Sequence, residues 1–505
     1  MTGVPADSLP LVAHAAQLAD RTAIVMGDRQ FSYRDLLEQS GRVATSLLDG
    51  RSDLQEARVA FAVPPGFEHV VIQWGIWRAG GIAVPLAVMH PPAEWSYVLQ
   101  DADVAIAIAS GALFDGLLPV ATELGLSCVP GESLYERPHR SHLPQIETSR
   151  RAMILYTSGT TSKPKGVVST HGMIAAQIQS LIDAWEWTER DVILHCLPLH
   201  HIHGIINVLC CALWSGARCE FVPRFDADLV WQRFLRSDDL TVFMAVPTIY
   251  SQLIQAWQKF TEEEKHAATA ACQKFRLMVS GSAALPVEVL ERWRSIAGHT
   301  LLERYGMTEI GMALSNPLHG ERRPGHVGTP LPGVELRLVA EDGDVPAAGT
   351  SGEIQVRGDT VFEEYWQRPE ATASAFSKDG WFQTGDIGEC HEGHIRILGR
   401  SSVDIIKTGG YKVSALEIEA RLREHPLIMQ CAVVGLDDVQ WGQVVCVAIE
   451  LQAGCDLGLQ ELRIWGKERL APYKVPSRLK VVQSLPRNAM GKVVKPDVLE
   501  LFSDC

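Results

Sequence analysis

Nowhere does this chain carry an apolar run long enough to cross a bilayer; the strongest, from Gly204 to Trp214, is short and interrupted by Asn207. The N-terminus, Met1-Thr2-Gly3-Val4-Pro5, lacks the basic leader and apolar core of a secretory signal, and the C-terminal tripeptide is not a peroxisomal address. Positive charge is in deficit. With 46 Lys and Arg against 60 Asp and Glu, the net charge of −14 argues against a general nucleic-acid or anionic-membrane surface. The eleven cysteines are odd in number and lack a paired spacing, so a reducing, cytoplasmic setting is expected. What remains is ordinary globular composition, 46% hydrophobic and 21% charged, in a chain of 505 residues that should form two or more domains.

Amphipathic helical windows alternate with short hydrophobic strands. A helical pattern begins at Tyr33, and strands are written by Arg58–Val63, Gly80–Leu86 and Val104–Ala109. The near-continuous apolar character of the last is expected where both faces of a sheet are covered. The alternation resumes with Asp191–Cys196, a helix from Ile206 to Leu213, an extended Cys219–Val222 and a buried strand at Leu277–Ser280. Beyond Arg322 the text turns to glycine and short alternating strands such as Val334–Leu338 and Glu353–Val356. A junction at Gly399–Ser402 precedes a fresh αβ pattern with a helix from Ala415. The fold class is therefore α/β. A large N-terminal domain, 1–399, is expected to contain layered α/β subdomains and a β-rich subdomain, and a small α+β C-terminal domain to span 400–505.

Chemistry concentrates in four segments. Tyr156-Thr157-Ser158-Gly159-Thr160-Thr161-Ser162-Lys163-Pro164-Lys165-Gly166 supplies hydroxyls, open backbone N–H groups and ammonium charges, the donors that phosphate oxygens need. It is not the common nucleoside-triphosphatase loop, because the Gly-x4-Gly-Lys-Ser/Thr spacing is absent and Pro164 removes a backbone donor. Tyr305-Gly306-Met307-Thr308-Glu309 offers an aromatic face for a base, a hydroxyl for a phosphate and a carboxylate for a divalent cation. Trp381-Phe382-Gln383-Thr384-Gly385-Asp386 sets a carboxylate after a glycine turn, where it could accept from two ribose hydroxyls. Pro486-Arg487-Asn488-Ala489-Met490-Gly491-Lys492 carries a lysine on a glycine-flexed loop.

Taken together, and in this order from about Phe31 to Lys495, these segments resemble the adenylate-forming superfamily of acyl-CoA synthetases, nonribosomal-peptide adenylation domains and luciferases. The resemblance implies that Thr157, Ser158, Gly159, Thr160, Thr161 and Lys165 hold the β- and γ-phosphates of ATP. It implies that Gly281, Ser282, Ala283 and Ala284 line the adenine and acyl pocket, and that Tyr305, within Tyr305-Gly306-Met307, stacks on adenine. Thr308 would contact the α-phosphate, Glu309 would ligate Mg²⁺, and Asp386 and Arg400 would hold the ribose. Lys492 would reach the bridging oxygens, and Gly409-Gly410-Tyr411-Lys412 would face the thiol arm of CoA. Carboxylate attack on the α-phosphorus brings anions together, so cations aimed at the growing charge are the expected catalysts. Thr308, Glu309 and Lys492 are thus the implied catalytic set.

Tighter similarity, in Leu197-Pro198-Leu199-His200-His201-Ile202-His203-Gly204, in Val279–Pro286 and in Leu302–Glu309, points to the malonyl- and methylmalonyl-CoA synthetase branch. In that branch residues matching His203 and Ser282 help hold the substrate's second carboxylate, with a basic residue on the helix after Pro247-Thr248-Ile249-Tyr250. Here Gln252 takes that place. It donates hydrogen bonds but offers no charge to a buried carboxylate, which makes a short or medium fatty acid the rival substrate. An acyl-carrier protein is the alternative acceptor to CoA. His195, Cys196, His200, His201 and His203 match no zinc-ligand spacing and are read as substrate pocket and packing.

Overall fold

The computed structural model describes residues 9–139, 142–157, 164–222, 224–340, 351–401, 403–408, 411–488 and 491–503. The chain divides into two compact units, Met1–Glu335 with Val356–Phe382, and Leu336–Gln355 with Gln383–Cys505. By contact the β-rich segment therefore groups with the C-terminal part.

The first unit rests on two sheets. In one, the strands Ser127–Pro130, Ile106–Ala109, Arg58–Ala62, Ile82–Pro85 and Arg151–Thr157 run parallel, followed by antiparallel Lys165–Thr170 and the two-residue edge Glu364–Tyr365. The inner parallel strands Arg58–Ala62, Ile82–Pro85 and Ile106–Ala109 are almost wholly buried, as expected where both faces of a sheet are covered, whereas the edge strand Ser127–Pro130 is partly exposed. Ala60, Ile82, Val84, Ala107 and Ile154 share one buried core with Trp95, Leu99 and Leu117 of the covering helices. The helix Tyr33–Leu48 starts where expected, at Ser32, because Ser32 and Asp35 form a reciprocal capping box.

The other sheet has nine strands. Its central run, Thr22–Met26, Arg218–Phe221, Val192–His195, Val242–Ala245, Leu277–Ser280 and Leu302–Met307, is parallel throughout. Loops leaving the carboxyl ends of such strands converge, which is where doubly wound sheets bind ligands. The expected helix from Ile206 to Leu213 differs in kind. Residues His203–Cys210 form a π-helix, followed by a short α-helix, Cys211–Ser215. Wide π-turns are rare and collect at functional sites.

In the second unit a four-stranded sheet, Val334–Val339, Ser351–Gly358, Phe382–His391 and His394–Arg400, lies for the most part within the unit. A further sheet orders Tyr411–Ser414, Ile405–Thr408, Gly442–Leu451 and Ile428–Asp438, with Arg478–Val481 parallel to Gly442–Leu451. The helix Ala415–Leu422 turns Ala415, Ile418 and Leu422 into its core, as the apolar spacing predicts.

Candidate active site

A turn after the strand Leu277–Ser280, the strand Leu302–Met307 and the start of the helix His203–Cys210 build a small polar cluster in the first unit. The register Val279↔Leu302 and Ser280↔Glu303 continues the pairing so that Gly281 lies against Arg304. A Cβ on Gly281 would stand 2.5 Å from the guanidinium carbon, so a side chain here would displace Arg304 from its present position. Ser282 follows with φ +67°, a left-handed backbone uncommon for a residue with a side chain and costly enough to mark a functional turn. That turn aims its hydroxyl at two partners. Arg304 Nη2 donates to Ser282 Oγ at 3.3 Å, and His203 Nδ1 lies 3.2 Å from the same oxygen. Arginine can only donate, so the serine proton is available to the imidazole.

Arg304 decides the character of the cluster. It is 4% exposed, and its Nε has no hydrogen-bond partner among the described residues. No carboxylate pairs with it there either. Burial pulls its pKa down to about 9, which still leaves a cation near neutrality. A buried, uncompensated guanidinium costs several kcal/mol, so the cluster is built for an incoming anion. Gln252, by contrast, is exposed on the helix Pro247–Trp257 and forms no hydrogen bond to His203, Ser282 or Arg304. Arg304, on the strand Leu302–Met307, is the cation beside Ser282.

A second group surrounds Glu309. Strands Leu302–Met307 and Gly311–Ser315 form a hairpin whose pairs Gly306↔Met312 and Met307↔Gly311 leave Thr308, Glu309 and Ile310 at the turn. Gly306 is obligatory, since a Cβ would come within 2.1 Å of the Gly311 carbonyl oxygen. Glu309 is buried, whereas Tyr305, Gly306, Met307 and Thr308 are half-buried. The Tyr365 hydroxyl donates to Glu309 Oε1 at 3.0 Å, and Lys165 Nζ lies 4.9 Å from the centre of the Tyr365 ring. Lys165 and Thr157 pair across the ends of their strands. Lys165 and Glu309 thus meet the same tyrosine. Ser158, Gly159, Thr160 and Thr161 lie outside the described residues. Ala283 and Ala284 are exposed beside Ser282.

In the second unit Asp386 and Arg400 pair across adjacent strands, and Arg400 Nε meets Asp386 Oδ1 at 3.1 Å. Asp404 Oδ2 accepts the Arg400 backbone N–H at 3.0 Å. Lys492 is exposed on a turn closed by Asn488, which accepts the Lys492 N–H at 3.0 Å and donates its own N–H to the Lys492 carbonyl. Tyr411 stacks on Tyr473 with ring centres 4.2 Å apart. Gly409 and Gly410 lie outside the described residues. No group of three or more His, Cys, Asp or Glu among the described residues could hold a metal ion by itself.

Two residues escaped the sequence reading. Arg304 had a signal, a charge inside the strand text Leu301-Leu302-Glu303-Arg304, but nothing in the local text tells which buried neighbours await it. Tyr365 had none: its strand is two residues long and its carboxylate partner is 56 positions away.

Comparison with known proteins gives the family. The AMP-binding enzyme family matches residues 11–366, and the AMP-binding enzyme C-terminal domain matches residues 417–492. Mitochondrial malonate–CoA ligase ACSF3 of Mus musculus is 47% identical, with 98% of this chain and 90% of the relative covered. The Arabidopsis thaliana malonate–CoA ligase is 41% identical, covering 96% and 87%. The crystal structure of ATP-bound MatB from Rhodopseudomonas palustris superposes with a TM-score of 0.90 at 33% identity, covering 98% of this chain and 99% of that one. The Bacillus subtilis o-succinylbenzoate-CoA synthetase, bound to its acyl-adenylate intermediate, gives 0.84 at 27% identity over 97% of each chain. With its motifs in order and both family domains matched, the chain belongs to the AMP-binding enzymes, the adenylate-forming ligases.

Proposed function

We propose that this protein is a malonate–CoA ligase that forms malonyl adenylate from malonate and ATP and then passes the malonyl group to CoA. The observation that carries the substrate is Arg304, a buried cation without a carboxylate partner among the described residues, bonded to Ser282 beside His203. A dicarboxylate has one carboxylate to react and a second to fill such a site; a fatty acid would leave the guanidinium uncompensated. Methylmalonate shares the second carboxylate and is the nearest additional substrate.

In the first half-reaction one malonate oxygen attacks the α-phosphorus of ATP, the bond to the bridging oxygen breaks, and pyrophosphate leaves. Thr157, the 158–161 segment and Lys165 are proposed to hold the β- and γ-phosphates, Gly281 to Ala283 and Tyr305 to Met307 the adenine, and Thr308 the α-phosphate. Asp386 and Arg400 are proposed for the ribose, and Lys492 for the charge that builds on the bridging oxygen. Glu309 suits Mg²⁺: a single buried carboxylate oriented by Tyr365 matches an ion that takes few carboxylates and completes its shell with phosphate oxygens. When bound, the ion neutralises phosphate charge. In the second half-reaction the CoA thiol sulfur attacks the acyl carbon, AMP leaves and the thiol proton is lost. The 409–411 segment is proposed to face the thiol arm. Because Lys492 and that segment serve different steps, residues 400–505 are proposed to act as a mobile lid.

Free CoA is the proposed acceptor, in preference to a carrier protein. No helix among the described residues is long and apolar enough to cross a membrane. We place the enzyme in a reducing compartment, the cytoplasm or a mitochondrial matrix. Pyrophosphate release measured with acetate, malonate, methylmalonate and hexanoate tests the substrate: malonate should give the highest kcat/KM, and a lead for acetate or hexanoate rejects the assignment.

A further inference from the structure

His195 takes no part in the chemistry above, yet it is fully buried at the carboxyl end of the strand Val192–His195, one loop away from His203. Its backbone is held in the sheet opposite Phe221, and its ring stacks on the Phe221 ring with centres 4.9 Å apart. Both ring nitrogens are committed. Nδ1 accepts the Leu197 N–H at 3.2 Å, so the proton must sit on Nε2, which faces the Gly204 carbonyl oxygen at 3.1 Å. Burial holds the pKa down to about 3, so the ring stays neutral in this one tautomer at working pH.

Gly204 is the second residue of the π-helix that His203 opens. The chain segment after His195 presses on the same residue, since a Cβ on Gly204 would stand 2.3 Å from the Pro198 carbonyl oxygen. The backbone bearing His203 is therefore fixed from one side by a directed hydrogen bond and by a close glycine contact. On the other side its imidazole meets Ser282, which Arg304 also holds.

We infer that His195 is a positioning residue for recognition of the second carboxylate: by donating to the Gly204 carbonyl it sets where the His203 ring stands beside Ser282 and Arg304. This deepens the malonate reading and rests on it. The role belongs to Nε2 alone, because Nδ1 only closes the local turn. Asparagine can mimic the Nδ1 end of the ring and glutamine the Nε2 end, so the two amides separate the inference from a general packing role.

The test is steady-state pyrophosphate release by the full-length enzyme and its His195→Asn and His195→Gln variants, with malonate and with acetate, alongside Tm. The Asn variant should raise the malonate KM about five- to tenfold, the range of one lost hydrogen bond, with kcat, the acetate KM and the ATP KM within about twofold. The Gln variant should stay near the wild-type malonate KM. Equal behaviour of the two amides, or an equal rise in the acetate KM, overturns the assignment. Should the Asn variant not fold, a folded Gln variant decides: a wild-type malonate KM supports the role, and a rise beyond about fivefold rejects it. A wild-type enzyme that does not prefer malonate over acetate defeats the substrate reading itself. Malonate preference with an unaffected Asn variant defeats only the role of His195.

Discussion

Replacing Arg304 with methionine separates anion recognition from everything else the site does. Methionine roughly fills the arginine stem and is flexible enough to lie against Gly281 without steric conflict. Two opposite effects follow from the same burial. Without substrate, the wild-type protein holds a guanidinium that is 4% exposed, bonded to Ser282 and unmatched by any carboxylate among the described residues. Removing that charge relieves a desolvation cost, so Tm of the variant should equal or exceed that of the wild type. With malonate bound, truncation leaves the second carboxylate buried without its cation, a loss of about 2–5 kcal/mol for a hydrogen-bonded charge pair. At about 3 kcal/mol the kcat/KM for malonate falls on the order of 150-fold. Acetate and hexanoate have no second carboxylate, so their kcat/KM should hold or rise. The assay is pyrophosphate release with the three acids, beside thermal unfolding with and without malonate. A variant that loses all three acids equally, or keeps malonate within about threefold, refutes the reasoning.

Lys492→Ala should collapse adenylate formation while thioester formation from supplied malonyl adenylate largely survives; equal loss of both steps argues against two separate duties for the C-terminal segment. Tyr365→Phe removes the hydroxyl that orients Glu309 at 3.0 Å, and the Mg²⁺ concentration for half-maximal activity should rise about tenfold. An unchanged Mg²⁺ titration removes Glu309 and Tyr365 from the metal site.

The legible part of this protein was local. Four motif segments, each a contiguous choice of hydroxyl, glycine, lysine or carboxylate, announced adenylate chemistry before any contact was known. Strand and helix periods placed the parallel strands and the helix after Ser32, whose cap lies three residues from its partner Asp35. The kind of helix at His203–Cys210 was beyond reach, because a π-turn depends on what presses against Gly204 from outside the segment.

From sequence alone came the α/β alternation and, through the resemblance that four ordered motifs carry, the reaction class, since each motif and each period is written by neighbours a few positions apart. The family resemblance pointed to Gln252, on the helix after Pro247-Thr248-Ile249-Tyr250, as the weak place in dicarboxylate recognition. Only the tertiary structure showed that Gln252 is exposed and that Arg304 is buried beside Ser282. The parallel register of Leu277–Ser280 against Leu302–Met307 brings Gly281 and Ser282 to Arg304, and the strand end at His195 leads His203 to the same hydroxyl. Whether an arginine is solvated or buried without a counter-ion depends on the whole sheet closing around it, which no stretch of neighbouring residues encodes.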